Sequence, residues 1–305
     1  MLTTIWKALK IQRRVAMGPL MLTFQWGRST RLVRSRTQRT GRAVFDAGAV
    51  RSPIAPAARQ IEGIAERPAE FQSPPSALLF GVGPGLGEAL MERLDGEGFR
   101  LGVVSRNAGR LQGLLDRLPG GGRSHRAYAC DVTLEASVGK AFEQFAQDFG
   151  APSLVVYALQ RFGPGTIDDI EVPAFEDGLR HNCFGAFLVS RLACRAMAEA
   201  GRGTLLLVGS TSSVIGREGH LNLVAGKFGQ RGLSQVLARE MWPRGVHVAH
   251  VMIDADIRES EGETHPQAEP GHIAETLLFL HRQPKSAWTS ELDLRPWNER
   301  FWEHC

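Results

Sequence analysis

The chain has 305 residues, 43% of them hydrophobic, with 36 Lys and Arg against 32 Asp and Glu. That length can bury a sizeable core in one large domain, and the longest apolar runs, SLVVYAL and TLLLVG, fall well short of the ~18 residues that span a bilayer. Residues 1–72 hold thirteen bases and four acids, so the basic excess belongs to that segment and is no nucleic-acid footprint on the acidic remainder.

Residues 1–74 read as a basic extension ending in a Pro/Ala-rich linker, RSPIAPAARQIEGIAERPAEFQSPPS. No acid precedes Asp46, and Ile5, Trp6 and Leu9 can share one helical face while Lys7, Lys10 and Arg14 share the other. This is the pattern of a mitochondrial presequence. A disordered basic tail and a translation start further downstream are the competing readings, and both leave the protein in the cytoplasm. Cys130, Cys183, Cys194 and Cys305 show neither metal-ligand spacing nor disulfide density, so they read as reduced thiols.

From residue 75 onward short apolar runs alternate with amphipathic helices. ALLFGVG, RLGVVS, HRAYAC, SLVVYA, GTLLLVG, HVAHVMI and ELDL are strand-sized, as parallel strands covered on both faces should be. Leu111, Leu114, Leu115 and Leu118 follow a helical stripe behind Asn107 as N-cap, and Val138, Phe142, Phe145 and Phe149 make a second stripe behind Thr133. The alternation predicts a doubly wound α/β domain, residues 75–305, with right-handed crossovers.

Within that frame, Gly81, Gly85 and Gly87 of LLFGVGPGLGEAL end the first strand and open the first helix. Missing side chains let the backbone approach a pyrophosphate seated on the helix N-terminus. The second strand ends in Ser105 and Arg106, where an NAD site would place an acid. A guanidinium can clamp a 2′-phosphate, so NADP is expected over NAD.

These residues resemble the short-chain dehydrogenase/reductase family over 76–305. GVGPGLG resembles its glycine loop, CDVT with Asp131 its adenine-side acid, HNCFGAFLVSRLACRAM with Asn182 its asparagine helix, and GTLLLVGSTSS with Ser210 its serine strand; Lys227 falls at its lysine. The resemblance implies a Rossmann-type seven-stranded sheet ordered 3-2-1-4-5-6-7, an NADP-dependent oxidoreductase acting on a small carbonyl or alcohol, and a homodimer or homotetramer. In that family Ser holds the substrate oxygen, Tyr moves the proton, Lys binds the nicotinamide ribose and lowers the Tyr pKa, and Asn anchors a water relay.

The chain departs from the pattern in three places. YALQ ends the fourth strand where the family has NNAG, IDAD follows the sixth strand in place of Pro-Gly, and Leu223 stands at the tyrosine. A positioned general acid contributes roughly 10²- to 10⁴-fold, and leucine has no proton to give. His220, seven residues before Lys227, falls where the family's enoyl reductases carry their phenol. Tyr157, at the carboxyl end of a central strand, is a second candidate with a core residue as its bland alternative. A catalytically silent NADP-binding sensor or scaffold is the reading from another class. The polar stretch DADIRESEGETHPQAEP reads as a short lid, and the aromatic tail with Trp297, Phe301 and Trp302 as interface or core packing.

Overall fold

A computed structural model describes residues 74–119, 124–257 and 267–300. Apart from residue 74, the basic extension and its linker lie outside the described residues, as do 258–266 of the lid and the aromatic residues Phe301 and Trp302.

Seven strands, β1 (Ser76–Phe80), β2 (Arg100–Ser105), β3 (His125–Ala129), β4 (Leu154–Tyr157), β5 (Gly203–Ser210), β6 (Val246–Ile253) and β7 (Glu291–Leu294), form one sheet in the order 3-2-1-4-5-6-7. All six pairings are parallel. Helices fill the crossovers: α1 (Leu86–Gly96), α2 (Ala108–Leu115), α3 (Glu135–Phe149), α4 (Val172–Leu179), α5 (Gly185–Glu199), α6 (Leu221–Met241) and α7 (Pro270–Arg282).

Side chains alternate across each strand, so the sheet has two covered faces. Ala77, Leu79, Leu206, Val208, Ala249 and Val251 pack with Leu90 and Leu94 of α1, Leu111 of α2 and Leu277 of α7. Leu78, Phe80, Val155, Leu205 and Val248 pack with Phe142 and Phe145 of α3, Val189 of α5 and Met241 of α6. The outer strands depart from the expected covering. In β3 only His125 and Tyr128 are buried, and β7, the edge strand with the sequence ELDL, has no buried residue.

Local signals divide similarly. Asn107 caps α2, its Oδ1 accepting from the Arg110 N–H at 3.3 Å. Thr133 does not cap α3, which starts at Glu135 behind an uncapped Leu134. Its hydroxyl instead donates to Asp131 Oδ1 at 2.7 Å. Thr133 N–H donates to the same oxygen at 2.9 Å, so Asp131 holds Thr133 in the turn ahead of the helix, one residue before its N-cap.

Candidate active site

The strands all point their carboxyl ends to one edge, where a doubly wound sheet places ligands. A cleft of about 1060 Å³ opens there, bounded by the glycine loop, the ends of β5 and β6, Lys227 of α6 and the C-terminal stretch Asn298–Arg300.

The loop Gly81–Gly87 is a cradle that side chains would fill. Gly81 has φ +93°, and a Cβ there would lie 2.7 Å from the Ala158 carbonyl carbon; a Cβ on Gly87 would lie 2.6 Å from Val82 Cα. Gly85 sits at the N-cap of α1 and offers no capping side chain. The helix end therefore keeps its N–H charge for an anion. At the end of β2, Ser105 Oγ accepts from the Asn107 N–H at 3.0 Å, and Arg106 is exposed close enough to influence Asp131. Asp131 is held below the usual carboxylate range, first by its Thr133 hydrogen bonds and then by nearby His181 and Arg106.

Sequence reading missed Arg110, one helical turn beyond Arg106, whose guanidinium donates to the Val82 carbonyl at 3.3 Å. It places a cation beside the glycine loop. The only signal for it was the i, i+4 spacing from Arg106 on a helix start.

Asn182 is fully buried in a π-helical turn, Arg180–Phe184, between α4 and α5. Its Oδ1 accepts from the Arg161 N–H at 2.9 Å and its Nδ2 donates to the Arg161 carbonyl at 2.8 Å. The asparagine pins the loop that follows β4. Ser210 ends β5 and lines the cleft. The short 3-10 turn after it, Thr211–Ser213, puts Ser213 Oγ 3.2 Å from the Ser210 N–H. Ser210 Oγ faces the same turn in a capping box but is without a hydrogen bond of good geometry.

Lys227 is 1% exposed yet touches the cleft. Its Nζ donates to the Val208 carbonyl at 2.9 Å, the Leu159 carbonyl at 3.1 Å and Gln230 Oε1 at 3.2 Å. All three partners are neutral, and desolvation pulls the lysine pKa down to about 7.

The candidate replacements for the missing phenol separate clearly. Leu223 is buried at 4% exposure. His220 is not among the cleft-lining residues; its ring stacks on Phe162 at 4.8 Å and its Nδ1 lies 2.9 Å from the Glu218 carbonyl. Tyr157 is a core residue with no exposed surface, its hydroxyl donating to the His181 carbonyl, and burial pushes its pKa up.

The IDAD sequence at the end of β6 supplies a network that the chain alone did not reveal. Asp254 accepts from the Thr211 hydroxyl and pairs with Arg295 beyond β7. The turn after Ser210 is thereby tied to the C-terminal stretch whose residues 298–300 border the cleft. Trp297, expected to pack, is 94% exposed.

The family model for short chain dehydrogenase matches residues 75–264. The chain belongs to the short-chain dehydrogenase family. This short-chain dehydrogenase is 32% identical over 174 residues to D-threitol dehydrogenase of Mycolicibacterium smegmatis, a match spanning 56% of the chain and 66% of that protein. It is 30% identical to carbonyl reductase family member 4 of Danio rerio, over 68% of the chain and 91% of the relative. Among solved structures, a short-chain dehydrogenase from Rhodopseudomonas palustris superposes with a TM-score of 0.64 at 26% identity, covering 73% of this chain and 98% of that one. An alcohol dehydrogenase of Thermococcus sibiricus complexed with 5-hydroxy-NADP shares the fold, with a TM-score of 0.67 at 22% identity over 75% of this chain and 99% of that one. No helix among the described residues is long and apolar enough to cross a membrane, and no described cluster of His, Cys, Asp and Glu could hold a metal ion.

Proposed function

We propose that this short-chain dehydrogenase is an NADP(H)-dependent oxidoreductase acting on a small carbonyl or alcohol, with a proton donor other than tyrosine. The observation that carries the reading is one cleft lined by the glycine cradle and by Ser210 and Lys227 together. A Cβ-free loop beside an uncapped helix N-terminus fits a pyrophosphate, and Ser210 on the cleft wall fits a substrate oxygen.

In this reading Gly81, Gly85 and Gly87 hold the pyrophosphate, Ser105 and Arg106 the 2′-phosphate with Arg110 beside them, and Asp131 the adenine side. The dinucleotide, when bound, supplies or accepts hydride. Ser210 orients the carbonyl oxygen, Asn182 holds the loop after β4 in place, and Lys227 faces the nicotinamide ribose. For that last contact one of its three donors must exchange a protein acceptor for the sugar. His220, turned onto Phe162, has no place in this scheme, and conjugated C=C reduction through it is not carried forward. A homodimer or homotetramer fits the exposed aromatics Phe184, Phe187 and Phe228 on and beside α5 and α6.

The test is fluorescence titration with NADPH and NADH, followed by NADPH consumption over ketones, aldehydes and enoyl thioesters. Arg106→Ala should weaken NADPH at least tenfold and leave NADH unchanged. Absence of affinity for either coenzyme refutes the reading, and binding without turnover on any substrate favours the silent sensor.

A further inference from the structure

The cleft lacks the phenol that its family resemblance calls for, so the proton must come from another group that reaches the reacting end. Tyr157 and Leu223 are buried away from it and His220 points elsewhere. Of the side chains lining the cleft, Lys227 stands apart: it comes from the same helix as the missing phenol, one turn further on, and its Nζ reaches the cleft wall at the Leu159 and Val208 carbonyls.

Its surroundings suit a group that must give up a proton and take it back. An ammonium held by two peptide carbonyls and an amide has no carboxylate to hold its charge, while a paired buried lysine would cling to its proton. Gln230, also fully buried, presents Oε1 to Lys227 and leaves its Nε2 without a partner. Rotating that amide by half a turn leaves its shape almost unchanged and presents N–H in place of oxygen. One orientation accepts from the ammonium, the other donates to the neutral amine. The site can therefore satisfy both states of the lysine.

Beneath it lies a second unpartnered group. His250, from β6, is 1% exposed and its Nε2 has no hydrogen bond. It occupies the space opened by Gly209: a Cβ there would lie 2.3 Å from His250 Nε2 and 2.5 Å from Ser213 Oγ. Burial, first, and the nearby Lys227 charge, second, hold this imidazole neutral, with its pKa lowered to about 4. The other charges facing the cluster are Arg231 on α6 and Glu291 on β7, which bond each other, and Asp254 at the end of β6, which is committed to Arg295 and Thr211. Asp256 and Arg217 lie further along the cleft wall.

We infer that Lys227 is itself the proton donor of the reductive reaction, with Gln230 as the positioning residue that accommodates both its charged and neutral forms. This rests on the NADP(H)-dependent reading above. In the step, the carbonyl carbon receives hydride from a reduced nicotinamide dinucleotide, the C=O π pair moves onto oxygen, and that oxygen takes a proton from Lys227 Nζ; this N–H, like the one turned to the ribose, must leave one of its three protein acceptors. The lysine is left as a neutral amine and regains its proton from solvent through the cleft. In the oxidative direction the neutral amine takes the alcohol proton. Reduction therefore weakens as pH rises through the lysine pKa, and oxidation strengthens.

The chain has only five lysines, so Lys227 can be followed directly by NMR of lysine side chains labelled with ¹³C and ¹⁵N in the full-length protein, its signal assigned with Lys227→Arg. The expected midpoint is near 7, against about 10.4 for an ordinary lysine. Gln230→Glu places a carboxylate on the ammonium and should raise the midpoint by at least one pH unit. The alkaline limb of kcat for reduction should move with it. Lys227→Arg, assayed at saturating NADPH because the same residue faces the ribose, should lose turnover at least 100-fold, the lower end of what a general acid contributes. A midpoint above about 9.5 in the parent overturns the proposal, as does a kcat profile that stays put while the Gln230→Glu midpoint moves. NADPH titration of the same samples reads the underlying assignment separately: without coenzyme affinity the oxidoreductase reading fails, whatever the lysine does.

Discussion

Replacing Gly87 by alanine probes the glycine cradle at its tightest point. The added Cβ would lie 2.6 Å from Val82 Cα and 3.0 Å from its carbonyl carbon, both backbone atoms that cannot swing aside. Overpacking of this kind costs about 1–3 kcal/mol. In a domain of this size each kcal/mol lowers Tm by roughly 2–4 °C, so the melting curve should fall by several degrees. Relief by shifting the loop away from α1 moves the backbone that would face the pyrophosphate, and NADPH affinity should drop at least tenfold. Gly96→Ala, at the far end of the same helix with nothing within 4 Å of the new Cβ, is the control. It should leave binding unchanged and stability equal or higher by about 0.5–1 kcal/mol. Scanning fluorimetry and NADPH titration of the three proteins give the answer. A Gly87→Ala protein that melts and binds like the parent would refute the close-packed cradle.

Two neutral histidines, His250 buried and His281 partly buried, give the fold an acid limit. His250 and His281 are both shifted down to about 4, in each case first by burial. As pH falls from 6.5 to 4 the unfolded chain takes up protons that the folded chain refuses, so stability is lost across that window, by about 3 kcal/mol for each histidine when complete. Urea melts at pH 7, 5.5 and 4.5 measure it, and a midpoint that does not change would contradict the burial argument. Asn182→Ala should cost about 2 kcal/mol by stripping both partners from the Arg161 backbone, seen as a lower urea midpoint; an unchanged midpoint means that loop is not held by the asparagine. Asp254→Asn keeps the shape but loses the charge that binds Arg295. It should raise KM more than it lowers kcat, through a looser C-terminal stretch, and a pure kcat effect would place Asp254 in the chemistry instead.

Much of the architecture could be read from short apolar runs. All seven strands and the glycine loop lie where the pattern placed them, because fully covered parallel strands must be continuously apolar. The exceptions, β3 and β7, are the two edges of the sheet, where one neighbour is missing and burial is incomplete. Asn107 was legible as a cap because the interaction spans three residues. Thr133 misled because two bonds to Asp131 Oδ1 hold it in the preceding turn, one residue short of the N-cap position.

The site was legible only in part, since it depends on convergence of distant segments. Ser210 and Lys227, named by resemblance, line the cleft, whereas Asn182 holds the loop after β4; the three neutral acceptors of the lysine had no sequence signal. The Thr211–Asp254–Arg295 link joins residues 43 and 41 positions apart, and no periodicity reports such pairs. Tyr157 and His220 occupied plausible chain positions, yet the direction of a side chain is fixed by its packing. Tyr157 fits against Gly185, whose Cβ would meet its hydroxyl at 2.6 Å, and His220 lies flat on Phe162.

The most direct measurement is a crystal structure of the NADP⁺ complex. The account predicts pyrophosphate on the Gly81–Gly87 loop, 2′-phosphate beside Arg106, and the nicotinamide ring between Ser210 and Lys227. Density for the ring on any other wall of the cleft would contradict it.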